Sequence, residues 1–323
     1  MSLTTANLRR KIASAGDLQS VVRTMKALAA ASIGQYEKSV RALGDYHRAV
    51  ELGLGVCFRE GGATPWPVAA KGRIDAGAIG VVVFGSDQGL VGQFNDVVAD
   101  YAIKTLAALP GEPRVWAVGE RVHARLADAR LPLMGLFAVP NSVQAIAPLI
   151  GQILVESETR RERGEITALH LCYNRPGAGA VYEPVSQQLL PLDDVWRGKL
   201  AAQPWPTGNL PGVAGAHDTT LRALIREYLF VSLFRACAES LASENASRLA
   251  AMERADRNID ELLATLGDTY HRQRQSSIDA ELFDVIAGYE LLAKKTKNGR
   301  AAKPTPDKRC APKWIPSRMA VQT

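Results

Sequence analysis

The sequence predicts an α/β protein of uncommon build: an antiparallel two-helix coiled coil formed by the two ends of the chain, with an α/β domain inserted between them. Three observations predict it. Apolar or small residues recur at alternating three and four steps from Leu8 to Leu54. A matching, proline-free seam occupies His217 to Ala293. Between them, residues 61–216 hold most of the proline and glycine, with apolar runs of strand length separated by helical stretches. Such a switch of period marks the border between coil and globular domain. The expected parts are a first coiled-coil helix over 1–60, an α/β domain over 61–216, a last coiled-coil helix over 217–293 and a basic tail over 294–323.

The first seam runs Leu8, Ile12, Ala15, Leu18, Val22, Met25, Ala29 and on through Ile33, Tyr36, Val40, Leu43, His47, Val50 and Leu54. A helix of about 55 residues is roughly 80 Å long, and it needs a partner along that length to cover its stripe. The last segment supplies one through Leu221, Leu224, Tyr228, Val231, Ala238 and Leu241, continuing to Tyr270. The seam then passes Ile278, Leu282, Val285 and Leu292. Residues 1–60 carry nine basic and five acidic side chains, whereas 217–293 carry eight and thirteen. Opposite charge favours the pairing, but exposed ion pairs contribute only about 0–1 kcal/mol each, so apolar burial must dominate.

In the middle segment, Ala78 to Phe84, Arg114 to Val118 and Leu133 to Val139 read as buried strands, with Ala168 to Tyr173 and Val181 to Leu190 as a later pair. Helices are expected near 93–109, 119–129 and 142–163. The alternation points to a Rossmann-like domain with a largely parallel sheet. Residues 61–77 and 203–215, rich in glycine and proline, read as linkers.

The charge sum is misleading taken whole. The net charge of +6 conceals nine basic residues against Asp307 alone in residues 294–323. The remainder is slightly acidic, so no overall positive field invites nucleic acid. The tail's lysine, proline and polar content predicts disorder. Four scattered cysteines without CxxC spacing argue against a zinc site or a disulfide framework and fit a reducing compartment. No secretory signal is expected at the N-terminus, and no apolar stretch reaches the length of a membrane span, so membrane association is expected through partners only.

The most conspicuous string is Gly85-Ser86-Asp87-Gln88-Gly89-Leu90-Val91-Gly92-Gln93-Phe94-Asn95, between a predicted strand and a predicted helix. A glycine-rich turn there could cradle phosphate, yet it lacks the Lys-[Ser/Thr] of a P-loop and its glycines do not reproduce GxGxxG. The alternative is a tight turn in which Ser86 or Asp87 bonds loop amides. The five histidines lack ligand spacing, no serine lies in a GxSxG elbow, and Asp193-Asp194 reads as a solvated loop. Neither a metal, nor a cofactor, nor a catalytic group is expected. In the helices, the Ala27–Ala31 run permits close approach, and the polar run Arg272 to Ser277 interrupts the seam, fixing register or meeting a partner.

These residues resemble the gamma subunit of F-type ATP synthases, the central-stalk rotor. The resemblance lies in Leu8 to Ser14, Thr24 to Ser32, Ser86 to Asn95, Ser186 to Leu192, Ala242 to Met252 and Arg274 to Ile278, in order across about 290 residues. It implies a rotor without chemistry of its own, coupling an ion-driven membrane ring to ATP synthesis or hydrolysis. Its partners are the alpha and beta subunits, the epsilon subunit and the c-ring, with no nucleic acid and no direct membrane insertion. It implies a peripheral place at the cytoplasmic face of a bacterial plasma membrane. By the same resemblance, Arg23, Met25, Lys26, Glu244, Arg248, Arg274 and Gln275 contact the alpha/beta ring. Ile278, Leu282, Val285 and Ile286 form the bearing tip, while Ser86, Asp87, Gly89, Gly92 and Asn95 form the signature turn of the foot. Val91, Gln93 and Asp279 depart from the family pattern, and Asp279 puts one inferred contact in doubt. These departures suggest a divergent bacterial branch such as the N-type enzymes. A coiled-coil adaptor bearing a nucleotide-binding domain is the alternative reading.

Overall fold

The structure is a computed structural model that describes residues 4–60, 78–178, 180–192, 194–209, 211–213 and 216–299. The linker at 61–77, part of that at 203–215 and the tail beyond Gly299 lie outside the described residues. In chain order the elements are α1 (Thr5–Glu60), β1 (Ile79–Phe84), α2 (Phe94–Ala108), β2 (Pro113–Val118), α3 (Glu120–Asp128) and β3 (Leu133–Phe137). There follow α4 (Val143–Glu162), β4 (Ala168–Arg175), β5 (Glu183–Leu190), α5 (Asp194–Ala202) and α6 (His217–Gly299). The chain divides into two compact units, residues 15–261 and the two ends, 1–14 with 262–323.

In the larger unit the five strands lie in the order β3-β2-β1-β4-β5. The first four are parallel and β5 is antiparallel to β4. Every residue of β1 is buried, as a central strand covered on both faces must be. Its side chains alternate between two cores. Val81 and Val83 join Val98 and Ala102 of α2 and Val122 and Leu126 of α3. Val82 and Phe84 join Ile146, Ile150 and Ile153 of α4, together with Leu54 of α1 and Leu229, Leu233 and Leu241 of α6. One face of the sheet is therefore roofed partly by the long helices, which is how the inserted domain is welded to the coil.

Helices α1 and α6 run antiparallel in this unit. As numbering rises along α1 it falls along α6: Gln19 bonds Asp256, Lys26 lies 4.0 Å from Glu253, Tyr46 donates to Glu227 and Cys57 is bonded through its carbonyl by His217. The basic and acidic helices thus meet charge to charge. Of the alanine run only Ala29 is buried, while Leu28 points outward.

Two features differ from expectation. Leu18 is 60 % exposed and Gln19 takes its place in the seam at 9 %. From Ala15 the buried positions step by four to Gln19 rather than by three, so the stripe rotates past Leu18. Leu18, Val21 and Leu28 consequently form a second, exposed apolar stripe beside the half-buried Met25. Secondly, Asp194 starts a helix instead of sitting in a loop. Trp196, Arg197, Leu200 and Ala201 are the buried or partly buried residues of α5, but one of them is charged and one small, and Gly198 lowers helix propensity, so the sequence shows no apolar period there. Trp196 nonetheless packs on Tyr228 at 4.7 Å and on Phe58 at 6.2 Å between ring centres.

In the smaller unit Leu8 is buried, and Thr5, Ala6, Arg9, Arg10 and Ala13 line a groove with Tyr270. Helix α6 continues to Gly299, past the expected end at residue 293. Its residues from Ile278 to Lys294 are exposed throughout.

Candidate functional site at the joint between sheet and long helix

The signature string forms the turn from β1 into α2. Its polar groups are consumed internally. The Ser86 amide donates to Asn95 Oδ1 at 2.9 Å, Asn95 Nδ2 donates to Ser86 Oγ at 2.8 Å, and Ser86 Oγ donates to the Gln88 carbonyl at 2.9 Å. Asp87 reaches further: its two carboxylate oxygens accept from the Glu120 amide at 3.0 Å and the Val139 amide at 2.9 Å. The Asp87 carboxylate therefore holds both the start of α3 and the segment after β3, as an anion at a helix N-terminus does. Gly119 allows this closeness, because a Cβ there would stand 2.8 Å from the Ser86 backbone, and its φ of +112° suits only glycine. These bonds make the turn a tight structural one, with Ser86, Asp87 and Asn95 as its polar framework.

The far side of the turn is tied to α6. Ser247 Oγ donates to the Val91 carbonyl, and Asn174 Nδ2 donates to the Phe94 carbonyl at 3.0 Å. Phe94 is fully buried and meets Tyr182 edge-on at 5.3 Å. Gly92, at φ +58°, lies against Ser247 and Arg254, while Gly89 sits over Arg121. Of the five signature residues, Ser86, Asp87 and Asn95 thus shape the turn and tie it to the sheet domain, Gly92 borders α6, and Gly89 lies at the exposed side. Sequence reasoning missed Ser247, Asn174 and Tyr182 as members, since their contacts span from 80 to 156 positions of chain.

Glu244 stands about one helical turn before Ser247, and Arg248 immediately after it. Arg248 Nη2 donates to Glu244 Oε1, and Nη1 donates to Asn245 at 3.0 Å. Their side chains are only 7 % and 13 % exposed, so they are met within the chain rather than turned outward. Burial pushes the Glu244 carboxyl above the usual carboxylate range; Arg248 offsets part of this and Asp87 adds to it. Tyr36 of α1 is raised too, first by burial and then by Glu244. A native carboxyl with a raised pKa holds its proton to higher pH than the unfolded chain does. Stability must then fall as pH climbs above about 4.3, the unperturbed glutamate value. We expect Glu244→Gln to flatten that slope, read as the urea midpoint across a pH series; an unchanged slope would refute the assignment.

The other predicted contacts lie elsewhere. Arg23 Nε approaches Asp256 at 3.3 Å and its Nη2 approaches Asp260 at 3.8 Å, yet its side chain is 59 % exposed. Lys26 and Met25 are half-buried. Arg274 and Gln275 are exposed on α6 in the smaller unit, as are Ile278, Leu282, Val285 and Ile286. Cys57, Cys172 and Cys237 are buried free thiols, the Cys172 thiol pushed up to about 12 by burial. Among the described residues there is no cluster of potential metal ligands, and no helix is long and apolar enough to cross a membrane.

A family model described as ATP synthase matches residues 4–292, and curated proteins similar to this chain are ATP synthase gamma chains. The chain belongs to the ATP synthase gamma family. The gamma chain of Syntrophus aciditrophicus is 27 % identical over 299 residues, covering 89 % of this chain and 98 % of the relative. That of Chelativorans sp. is 29 % identical over 303 residues, covering 88 % and 98 %. Among solved structures, the rotor of the Euglena gracilis mitochondrial ATP synthase in rotational state 1 has a TM-score of 0.56 at 18 % identity, covering 85 % of this chain and 98 % of that one. A chain of the OSCP/F1/c-ring assembly from the same organism has a TM-score of 0.58, covering 95 % and 99 %. At that identity the likeness speaks for the fold, and it extends over the helix pair and the sheet domain alike. The family match ends at Leu292, just short of the basic tail.

Proposed function

We propose that this gamma-family chain is the central-stalk rotor subunit of an F-type ATP synthase and carries no catalytic group of its own. The coil of residues 1–60 and 217–293 turns inside a ring of alpha and beta subunits. The domain of 61–216 is the foot on the membrane c-ring, beside the epsilon subunit, and 294–323 is an appendage. The assembly sits peripherally at the cytoplasmic face of the bacterial plasma membrane. The observation that carries this reading is the joint: the signature turn meets α6 through the Val91 carbonyl, which Ser247 bonds, and through Gly92, which lies against Ser247 and Arg254. A foot that must transmit torque to a shaft needs such a connection.

Rotation drives the catalytic sites only if the shaft touches each of them differently, since a conformational shift requires differential interaction energy. The exposed stripe of Leu18, Val21 and Leu28 beside Met25, with Arg23 and Lys26 nearby, gives α1 an asymmetric face for this. A ring carboxylate that engages Arg23 or Lys26 must share it with Asp256 or Glu253. Glu244 and Arg248, paired within α6 beside Ser247, fix the polar face of α6 where it approaches the ring and the signature turn. Arg274 and Gln275 make polar contacts with the ring, and the exposed apolar end of α6 turns in its bearing. Asp279 is a departure at that contact.

Co-expression with alpha and beta subunits tests the proposal: the chain should copurify with them, and failure to enter such a complex would overturn it. Arg274→Ala and Gln275→Ala should lower coupled ATP synthesis while the melting temperature of the chain stays within the range of an exposed substitution, about 0.5 kcal/mol in stability. Loss of assembly in step with loss of activity would contradict their assignment as contacts.

A further inference from the structure

The Gln19 layer of the coil has a role that neither the family match nor the signature turn accounts for. Gln19 is buried in the seam between α1 and α6, where every heptad pattern calls for an apolar side chain. Its Nε2 donates to Asp256 Oδ1 at 3.2 Å and also to Asp260 Oδ1. Those two oxygens are the same atoms that Arg23 approaches, Nε at 3.3 Å and Nη2 at 3.8 Å. One turn further, Lys26 lies 4.0 Å from Glu253. Three successive acidic side chains on one face of α6, at spacings of three and four, are thus answered by three donors on α1 at the same spacings.

We infer that Gln19, with Arg23 and Asp256/Asp260, locks the axial and rotational register of α1 against α6. An apolar seam alone does not distinguish one register from another shifted by a helical turn, because aliphatic side chains pack nearly as well in either. A buried amide does distinguish them. Slipped by a turn, its hydrogens face aliphatic carbon and go unbonded, at a cost of about 1–3 kcal/mol, and the buried part of Asp256 loses its partner as well. A polar residue at one seam position specifies register at some expense of stability. The placement also explains why the seam skips Leu18: the turn that carries the lock rotates the larger apolar side chain out of the interface. Resting on the rotor reading, the lock is what keeps two helices from twisting past one another when torque enters through the foot and leaves through the coil. Gln19 is then a positioning residue for coupling.

The test uses the full-length chain with spin labels at Gln35→Cys and Asn258→Cys, both exposed and several turns apart along the coil so that an axial slip changes their separation, and Cys310→Ser to remove a fourth thiol; Cys57, Cys172 and Cys237 are buried. The parent should give one inter-label distance. Gln19→Leu, which keeps the seam filled, should retain or raise the melting temperature while adding a second population displaced by about one helical turn, ~5.4 Å. Gln19→Glu should broaden the distribution, and Asp256→Asn with Asp260→Asn should restore it. A single unshifted distance in both Gln19 variants overturns the lock, whatever the chain's role. Assembled into the ATP synthase complex, Gln19→Leu should hydrolyse ATP with fewer ions pumped per ATP; a shifted register with coupling intact overturns the rotor reading of the lock instead.

Discussion

Arg248→Ala is expected to destabilise the chain by about 3–5 kcal/mol, because it leaves the buried Glu244 carboxylate without its counter-charge. The loss should exceed that from Arg23→Ala, whose guanidinium is 59 % exposed and whose ion pairs are worth at most about 1 kcal/mol. The comparison separates a buried clamp from a surface contact. Replacing both members, Arg248→Met with Glu244→Leu, should recover most of the stability, since apolar groups of similar volume avoid the desolvation of two charges. Denaturant midpoints of the three proteins decide the matter. If Arg248→Ala costs no more than Arg23→Ala, the buried charge of Glu244 does not depend on Arg248. The double variant also bears on function: a joint that is stable but has lost its polar geometry should assemble with the ring yet couple less well.

The second large effect is expected at Asp87. Asp87→Ala removes the acceptor for two backbone amides at once, Glu120 at the head of α3 and Val139 after β3. Loss of a capping acceptor costs about 1 kcal/mol, and a further unsatisfied amide adds about 1–3 kcal/mol, so a loss of about 2–4 kcal/mol is expected. It should be local. Hydrogen exchange should accelerate over α3 and β3 while protection of α1 and α6 persists, because foldons open separately when their ties are cut. Asp87→Asn keeps one acceptor oxygen and should fall about halfway. Acceleration spread evenly over the long helices would show instead that the turn holds the whole chain, not the head of the sheet.

Most of the architecture was legible because it rests on local pattern. The seams of Leu8 to Leu54 and Leu221 to Tyr270 have a period that only a long paired helix satisfies, and β1 is an unbroken apolar run as a central parallel strand must be. A tight turn at Ser86 was legible from residue type, but the amides that Asp87 accepts from, Glu120 and Val139, lie 33 and 52 positions away and not in the turn itself. The remainder depends on contacts that chain order does not display. The Ser247 hydroxyl finds the Val91 carbonyl across 156 positions. Gln19 enters the seam because its amide meets Asp256 and Asp260, which lie more than 230 positions away. A periodicity argument ranks side chains by hydrophobicity and so chooses Leu18. Helix α5 escaped notice for a different reason: its covered face includes Arg197 and Ala201 beside Trp196 and Leu200, so no apolar period is there to detect. Glu244 and Arg248 stand four apart on a helix, which suggests an ion pair, but whether that pair faces solvent or the protein interior is set by the Val91 turn and Tyr36, and no local signal reports it.

On the function proposed above, this chain is a shaft whose foot and coil turn as one body, the chemistry belonging to its partners. The most direct measurement is rotation. With the alpha and beta subunits fixed to a surface and a probe attached to the sheet domain of the assembled chain, added ATP should drive the probe round in one direction. The purified chain alone should turn over no ATP. A probe that stays still in a complex that is hydrolysing ATP would contradict the account.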